Sequence, residues 1–202
     1  MKQRIKNSGE IYRKQFKLAG KLVGSTIREL VFYLESFNTD LTEQSNNYGK
    51  SLLNGIDIRT DDEIFSIGNR FTDVGYGLRI DLGSTAQIEY FQYMKEAKLF
   101  SGQVVNEMID EVKIYWLDIP FQDEEGLYPQ EIEVITKNGY LLISSIEVTG
   151  GEVSTEFTDE LLVIDDIESA RILKLGRFGQ GENGRVLFKD FNELKEKIGY
   201  IK

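Results

Sequence analysis

The chain of 202 residues contains no cysteine and no histidine. Without cysteine there can be no disulfide framework and no thiolate chemistry. Without histidine the commonest general base is missing, together with every Ser-His or Cys-His pairing. The two absences also remove the ligands that hold transition metals, so no bound metal and no cofactor is expected. Proline is scarce, at two residues, which suits uninterrupted β-ladders. No stretch approaches the roughly 18 apolar residues that a membrane span requires. The opening segment MKQRIKNSGEIYRKQFKLAG is basic but lacks the continuous apolar core of a signal peptide. The expectation is a soluble cytoplasmic protein. Basic side chains are the minority, 24 against 34 acidic for a net charge of −10, so bulk attraction to nucleic acid or anionic membrane is not expected.

What the chain does contain is the same unit twice. The segment LAGKLVGSTIRELVFYLESF from Leu18 lies over FSGQVVNEMIDEVKIYWLDI from Phe100 at an offset of 82 (100 − 18). Gly20 meets Gly102, Ile27 meets Ile109, Glu29 meets Glu111 and Tyr33 meets Tyr115. GIDIRTDDEIFSI from Gly55 lies over EIEVITKNGYLLI from Glu131 at an offset of 76 (131 − 55). LRIDLGSTAQI from Leu78 lies over LVIDDIESARI from Leu162 at an offset of 84 (162 − 78), which sets Asp81 on Asp165. Nearly constant offsets in the same order are what a duplication with loop insertions leaves. A unit of roughly 75 residues is marginal alone, so the two units are expected to share apolar surface.

Each unit reads as a short helix followed by about five antiparallel strands. Helices are expected over Glu10–Leu18 and over MKEAKLFSG from Met94, both leading into long strands, Ile27–Phe37 and Ile109–Ile119. Polar loops follow at Asn38–Lys50 and Phe121–Gly126. Hairpins turn at Asp61-Asp62 and at Lys137-Asn138-Gly139, the second carrying the Asn-Gly signal. Loops at Gly68–Gly77 and Thr149–Asp159 precede two more short strands per unit, Leu78–Leu82 with Gln87–Tyr93 and Leu161–Ile164 with Ala170–Leu175. Beyond the second unit, Arg185–Phe188 reads as a strand. Asp190, with Glu193 three residues on, reads as the N-cap of a helix to Ile198.

The predicted fold is therefore α+β, mainly β. Residues 1–94 and 95–176 form two tandem homologous units packed with pseudo-twofold symmetry. Residues 177–202 add a glycine-rich loop, a strand and a C-terminal helix.

Three constellations are candidates for chemistry. Gly179-Gln180-Gly181-Glu182-Asn183-Gly184 satisfies G-x-G-x-x-G, whose glycine amides can approach a phosphate. No helix opens at its last glycine and no acidic residue follows about twenty positions on, so a flexible hairpin loop is the better reading. Asp165, Asp166 and Glu168 follow an apolar strand and could hold a cation or act as an acid–base pair. Neighbours on a strand point to opposite faces, however, so solvated turn carboxylates fit better. The same holds for Asp123, Glu124 and Glu125. Aromatic residues gather on the long strands, where Phe32 and Trp116 read as core. Tyr33 and Tyr115, on the opposite parity, are expected to be exposed.

No set of groups here makes a catalytic site, so the expectation is a non-catalytic intracellular protein-binding protein. In its sharpest form it is an immunity-type inhibitor that captures a basic toxin domain by long-range attraction. The expected recognition residues are Asp123, Glu124, Glu125, Asp61, Asp62, Glu63, Asp165, Asp166 and Glu168, with Tyr33 and Tyr115. A structural module acting by sheet extension is the alternative, and a carboxylate-based metal-dependent enzyme the third reading. Composition leaves the oligomeric state open.

Overall fold

The computed structural model describes residues 2–35, 49–52, 55–72, 75–88, 94–99, 102–121, 124–149, 152–154, 161–181 and 185–197. In chain order these form α1 (Lys2–Leu22), β1 (Ile27–Glu35), β2 (Lys50–Leu52), β3 (Gly55–Thr60), β4 (Ile64–Thr72), β5 (Gly75–Leu82), α2 (Thr85–Ile88) and β6 (Met94–Leu99). There follow β7 (Ile109–Phe121), β8 (Glu124–Thr136), β9 (Tyr140–Ser144), β10 (Glu147–Thr149), β11 (Glu152–Ser154) and β12 (Leu161–Ile164). The chain continues through α3 (Ile167–Ile172), a 3-10 turn at Gly176–Phe178, β13 (Arg185–Leu187) and α4 (Phe191–Lys197). The protein is mainly β within an α+β class. A five-stranded sheet runs β5-β4-β3-β1-β6, a six-stranded sheet runs β13-β7-β8-β9-β12-β2, and β10-β11 form a small ribbon.

Val, Ile and aromatic side chains alternate along β1 and β3, and their inward set builds the core with its counterpart on the other sheet. One apolar cluster joins Leu30, Phe32, Ile56 and Ile58 of the first sheet with Ile114, Trp116, Ile132 and Ile143 of the second. Helix α1 enters the same cluster through Tyr12, Leu18 and Leu22, and α4 through Leu194. Trp116, fully buried, is the anchor. It meets Tyr12 edge-on at 5.0 Å and stacks on Phe16 at 5.9 Å between ring centroids. Tyr12 also donates its hydroxyl to the Leu127 carbonyl at 2.7 Å. On the opposite side α1 seals the edge of β5: Gln15 accepts from the Ile80 N–H at 2.6 Å and donates to the Ile80 carbonyl at 3.3 Å. An edge strand is thereby closed by one side-chain amide that imitates a neighbouring strand.

The two sheets follow the same internal order. Strands β6-β1-β3-β4-β5 stand in the positions taken by β13-β7-β8-β9-β12. Ladder registers carry offsets seen in the sequence. Ile27 faces Thr60 and Ile109 faces Thr136, each followed by a register shift before Glu29 or Glu111. The hairpin turns use one device: the Glu63 N–H donates to Thr60 Oγ1 at 3.1 Å, and the Gly139 N–H donates to Thr136 Oγ1 at 2.8 Å. In the third block the ladders differ from the sequence offset. Ile67 faces Ile80 while Ile143 faces Val163, so Asp81 stands level with Ile164 rather than with Asp165.

Between the sheets, two short segments pair with each other. Thr26 and Met108 form an antiparallel bridge, and 108 − 26 is again 82. The Gly24 N–H donates to the Ile109 carbonyl at 2.8 Å, and the Asn106 N–H donates to the Ile27 carbonyl at 2.7 Å. The Ile27 N–H donates to the Glu107 carbonyl at 3.0 Å, and the Ile109 N–H to the Ser25 carbonyl at 2.9 Å. Each bond becomes its partner when the two segments are exchanged. Gly24 and Asn106 also share a left-handed backbone, with φ of 86° and 66°. Glycine and asparagine are the residues that adopt it at least cost.

Several local expectations are corrected. Helix α1 runs through Gly20, which faces open space, and ends at Leu22. Met94–Leu99 is a strand, not a helix: pairing with β1 outweighs the helix propensity of MKEAKL. The expected loop Gly68–Gly77 is the paired end of the β4–β5 hairpin. Glu124 and Glu125 continue the β7–β8 ladder instead of lying in a loop. Thr85–Ile88 and Ile167–Ile172 are helical, where strands were expected to begin at Gln87 and Ala170. Of the expected loops Asn38–Lys50 and Thr149–Asp159, Lys50 opens β2, Thr149 ends β10 and Glu152–Ser154 is β11, while residues 38–48, 150–151 and 155–159, with Phe37, Tyr90, Phe91 and Tyr93, lie outside the described residues.

Candidate functional site

The densest set of ionisable groups lies on the face of the second sheet turned away from the shared core. Glu131 and Glu133 alternate along β8 on that face, and both are fully buried. Arg185, at the start of β13, reaches Glu131 at 2.7 Å with its side chain only 2% exposed. The Gly176 N–H donates to Glu131 Oε2 at 2.6 Å. Arg177 Nε donates to Glu133 Oε1 at 2.9 Å, and the Tyr115 hydroxyl donates to Glu133 Oε2 at 2.9 Å. The turn that carries Gly176 is in the left-handed region, φ 57°, and a Cβ there would crowd Glu133 Oε1 at 3.2 Å and the Tyr140 hydroxyl at 3.3 Å. Glycine is thus needed both for the conformation and for the approach.

Electrostatics follow from that burial. Desolvation raises the Glu131 carboxyl above the ordinary range, and Arg185 and the Gly176 amide oppose it. Burial first and the Glu133 charge second hold the Tyr115 and Tyr140 hydroxyls far above the ordinary phenol range. Two carboxylates, two guanidinium groups and two tyrosines therefore act as a fastening. They tie β13 and the Gly176–Phe178 turn to β8. A nucleophile or general base near neutral pH would need a group poised to exchange protons there, and these tyrosines are held away from it.

The first sheet carries a smaller version at the matching place. Tyr33 donates to Asp57 Oδ2 at 2.7 Å and meets Ser84 Oγ at 2.6 Å. Asp57, fully buried, also accepts from the Thr85 N–H and from Thr85 Oγ1, each at 2.8 Å. Burial and the Asp57 hydrogen bond push the Tyr33 hydroxyl up to about 12. Tyr33 and Tyr115 keep the 82 offset, and Asp57 and Glu133 the 76 offset (133 − 57).

The expectation that Tyr33 and Tyr115 are exposed is therefore overturned. Both have 0% relative exposure. They do point away from Phe32 and Trp116, but that face is covered as well, by α2 in one sheet and by α3 and the following turn in the other. A second apolar cluster there joins Leu142, Leu162 and Ile164 to Ala170, Leu173 and Leu175.

Of the nine acidic recognition residues, Asp61, Glu63, Asp166 and Glu168 make hydrogen bonds or ion pairs within the chain. Asp61 pairs with Arg28 at 2.6 Å and Glu63 with Lys21 at 2.9 Å, while Asp62 is exposed between them. The Arg28 guanidinium lowers the Asp61 carboxyl. Asp166 is the N-cap of α3, accepting from the Glu168 and Ser169 amides, and the Ser169 bonds lower its carboxyl. Glu168 pairs with Arg171 at 2.6 Å. Asp165 is half-buried. Asp123 lies outside the described residues, and Glu124 and Glu125 open β8 at the end opposite Thr136.

Among the described residues no group of three or more Asp and Glu side chains is arranged to hold a metal ion, and no helix is long and apolar enough to cross a membrane. The G-x-G-x-x-G segment is described only to Gly181. Gly179 abuts the Lys174 carbonyl, where a Cβ would overlap the oxygen, so its glycine serves packing. Sequence reasoning missed Glu131, Glu133, Arg177 and Arg185. The available signal was a pair of glutamates alternating with Ile132 and Val134 in a strand that is otherwise apolar. No family model matches the chain, and no match was found among curated proteins or solved structures.

Proposed function

We propose that the chain is a non-catalytic protein-binding protein made of two tandem homologous units related by a pseudo-twofold axis, and that it acts as an immunity-type inhibitor of a basic toxin domain. Support for the two units comes from the reciprocal bonds at the Thr26–Met108 bridge, the common strand order and the matched Tyr33–Asp57 and Tyr115–Glu133 pairs. The observation that carries the binding reading is the fate of the ionisable groups. The buried ones are spent on fastening secondary structure, while the chain as a whole keeps a charge of −10. Such a surface accelerates capture of a basic partner through long-range attraction.

The test is a search of the neighbouring genes for a basic toxin domain that arrests growth, followed by its co-expression with this chain. Growth should be restored. Association of the purified pair should slow steeply as salt shrinks the Debye length from about 10 Å to about 3 Å. Unrescued growth, or an association rate indifferent to salt, contradicts the proposal. A second reading, assembly by sheet extension, is favoured by β6, which ends its sheet and pairs only with β1 among the described residues.

A further inference from the structure

We propose that the outer edge of β12 is a docking site for an extended peptide strand, which the chain's own β2 fills and which a partner strand enters by displacing it. The proposal is independent of the toxin-inhibitor reading. It starts from the difference between two equivalent connections. Strand β7 reaches β8 across two residues, 122 and 123, whereas 19 residues (36–54) separate β1 from β3. The longer connection contains β2, which contributes nothing to its own sheet. It adds instead to the opposite sheet, antiparallel to β12, with Leu52 facing Leu161, Ser51 facing Leu162 and Lys50 facing Val163.

The acceptor is well built and its occupant is slight. All four residues of β12 are buried, and β9 holds the other side of the strand. The resident strand enters at Gly49, where a Cβ would overlap the Val163 carbonyl oxygen, so the seat demands glycine at that position. Three paired residues offer few backbone hydrogen bonds, and such short edge pairings open at low free-energy cost. The corresponding edge on the first sheet is closed differently: Gln15, with 0% exposure, bonds both backbone groups of Ile80 from within a 21-residue helix. One edge is shut by a core element and the other by a short strap. The occupant that fits is an extended segment with glycine at the Gly49 position, recognised through its backbone.

The test uses the full chain carrying Lys50→Pro with Ser51→Pro, so that one proline replaces a ladder donor whichever phase the strand has. The probe is a labelled peptide copying residues 47–54, Asn-Tyr-Gly-Lys-Ser-Leu-Leu-Asn. It should bind the double variant at least about tenfold more tightly than the wild type, whose own strap competes. A peptide with Gly49→Val should not bind. If the folded variant fails to bind the copy, or the Gly49→Val peptide binds equally well, the proposal is overturned. Hydrogen exchange on the wild type gives a second readout that does not depend on the variant folding. The β12 amides facing β2 should exchange at least about tenfold faster than those facing β9. Equal protection on both sides would mean that β2 does not detach, and that also overturns it.

Discussion

The two halves put a tyrosine and a carboxylate at matching positions and surround them with different chemistry. In the first, one buried charge, Asp57, is met by neutral donors: the Tyr33 hydroxyl and the amide and hydroxyl of Thr85. In the second, two buried carboxylates face two guanidinium groups. The position of β3 that matches Glu131 at the offset of 76 (131 − 55) is Gly55, so the second half carries a charge where the first carries no side chain. Removing Glu131, Glu133 and Arg185 from water is costly, and the attraction among these charges and the partly exposed Arg177 repays it only while every partner is present. The comparison teaches that one scaffold position can fasten a helix start with neutral hydrogen bonds or a turn and a strand with ion pairs. The second solution is the more brittle.

That difference can be broken first at Arg185. Arg185→Met leaves Glu131 buried without its partner and should cost about 3–5 kcal/mol in urea unfolding. Adding Glu131→Leu should recover most of the loss, since an apolar pair of similar volume replaces an ion pair at little cost. No recovery would mean that Glu131 is held chiefly by the Gly176 amide. In the first half Asp57→Ala should cost less, about 2–3 kcal/mol, because the donors it strands are neutral. A larger loss than at Arg185 would reverse the comparison.

Tyr33→Phe removes one hydroxyl from the same network and should cost about 1 kcal/mol. It should also flatten the alkaline limb of the stability curve. Tyr33 titrates near 12 when folded and near 10 when unfolded. The folded state therefore holds its proton more tightly, and this contribution is complete below pH 10 and lost between about 10 and 12. Unfolding followed from pH 9 to 12 in both proteins checks the sign. The smallest effect belongs to the bridge. Gly24→Ala forces a side chain into the left-handed region and should cost about 1 kcal/mol, whereas Gly24→Asn, the residue at the matching position 106, should cost distinctly less. Equal penalties would show that the two positions are not equivalent in backbone demand.

Much of this architecture is legible in the chain. The apolar and aromatic character of β1 recurs in β7, both hairpins turn at a threonine, and Asp190 with Glu193 marks the start of α4, where Asp190 accepts from the Asn192 and Glu193 amides. The illegible parts share a physical cause. Met94–Leu99 is composed of good helix formers, and only the unpaired side of β1 makes it a strand. Parity correctly separates Tyr33 and Tyr115 from the shared core. Their burial depends on α2 and α3, short helices whose apolar residues fit a strand equally well. With Ala170–Leu175 taken as a strand, nothing remains to cover that face. Glu131 and Glu133 look like solvent-facing positions until Arg177 and Arg185 arrive from more than forty residues away. No local pattern encodes that meeting.

The relation between the halves is tested most directly by superposition in a crystal structure of the full chain. Strands β1, β3, β4 and β5 are fitted onto β7, β8, β9 and β12, and the rotation is read off. The account predicts a rotation of about 180° about an axis through the Thr26–Met108 bridge, as closed two-fold packing requires. It also predicts that Ile27 falls on Ile109, Tyr33 on Tyr115 and Asp57 on Glu133. A rotation far from that value, or a fit that aligns the strands while leaving the tyrosines and carboxylates out of register, would contradict it.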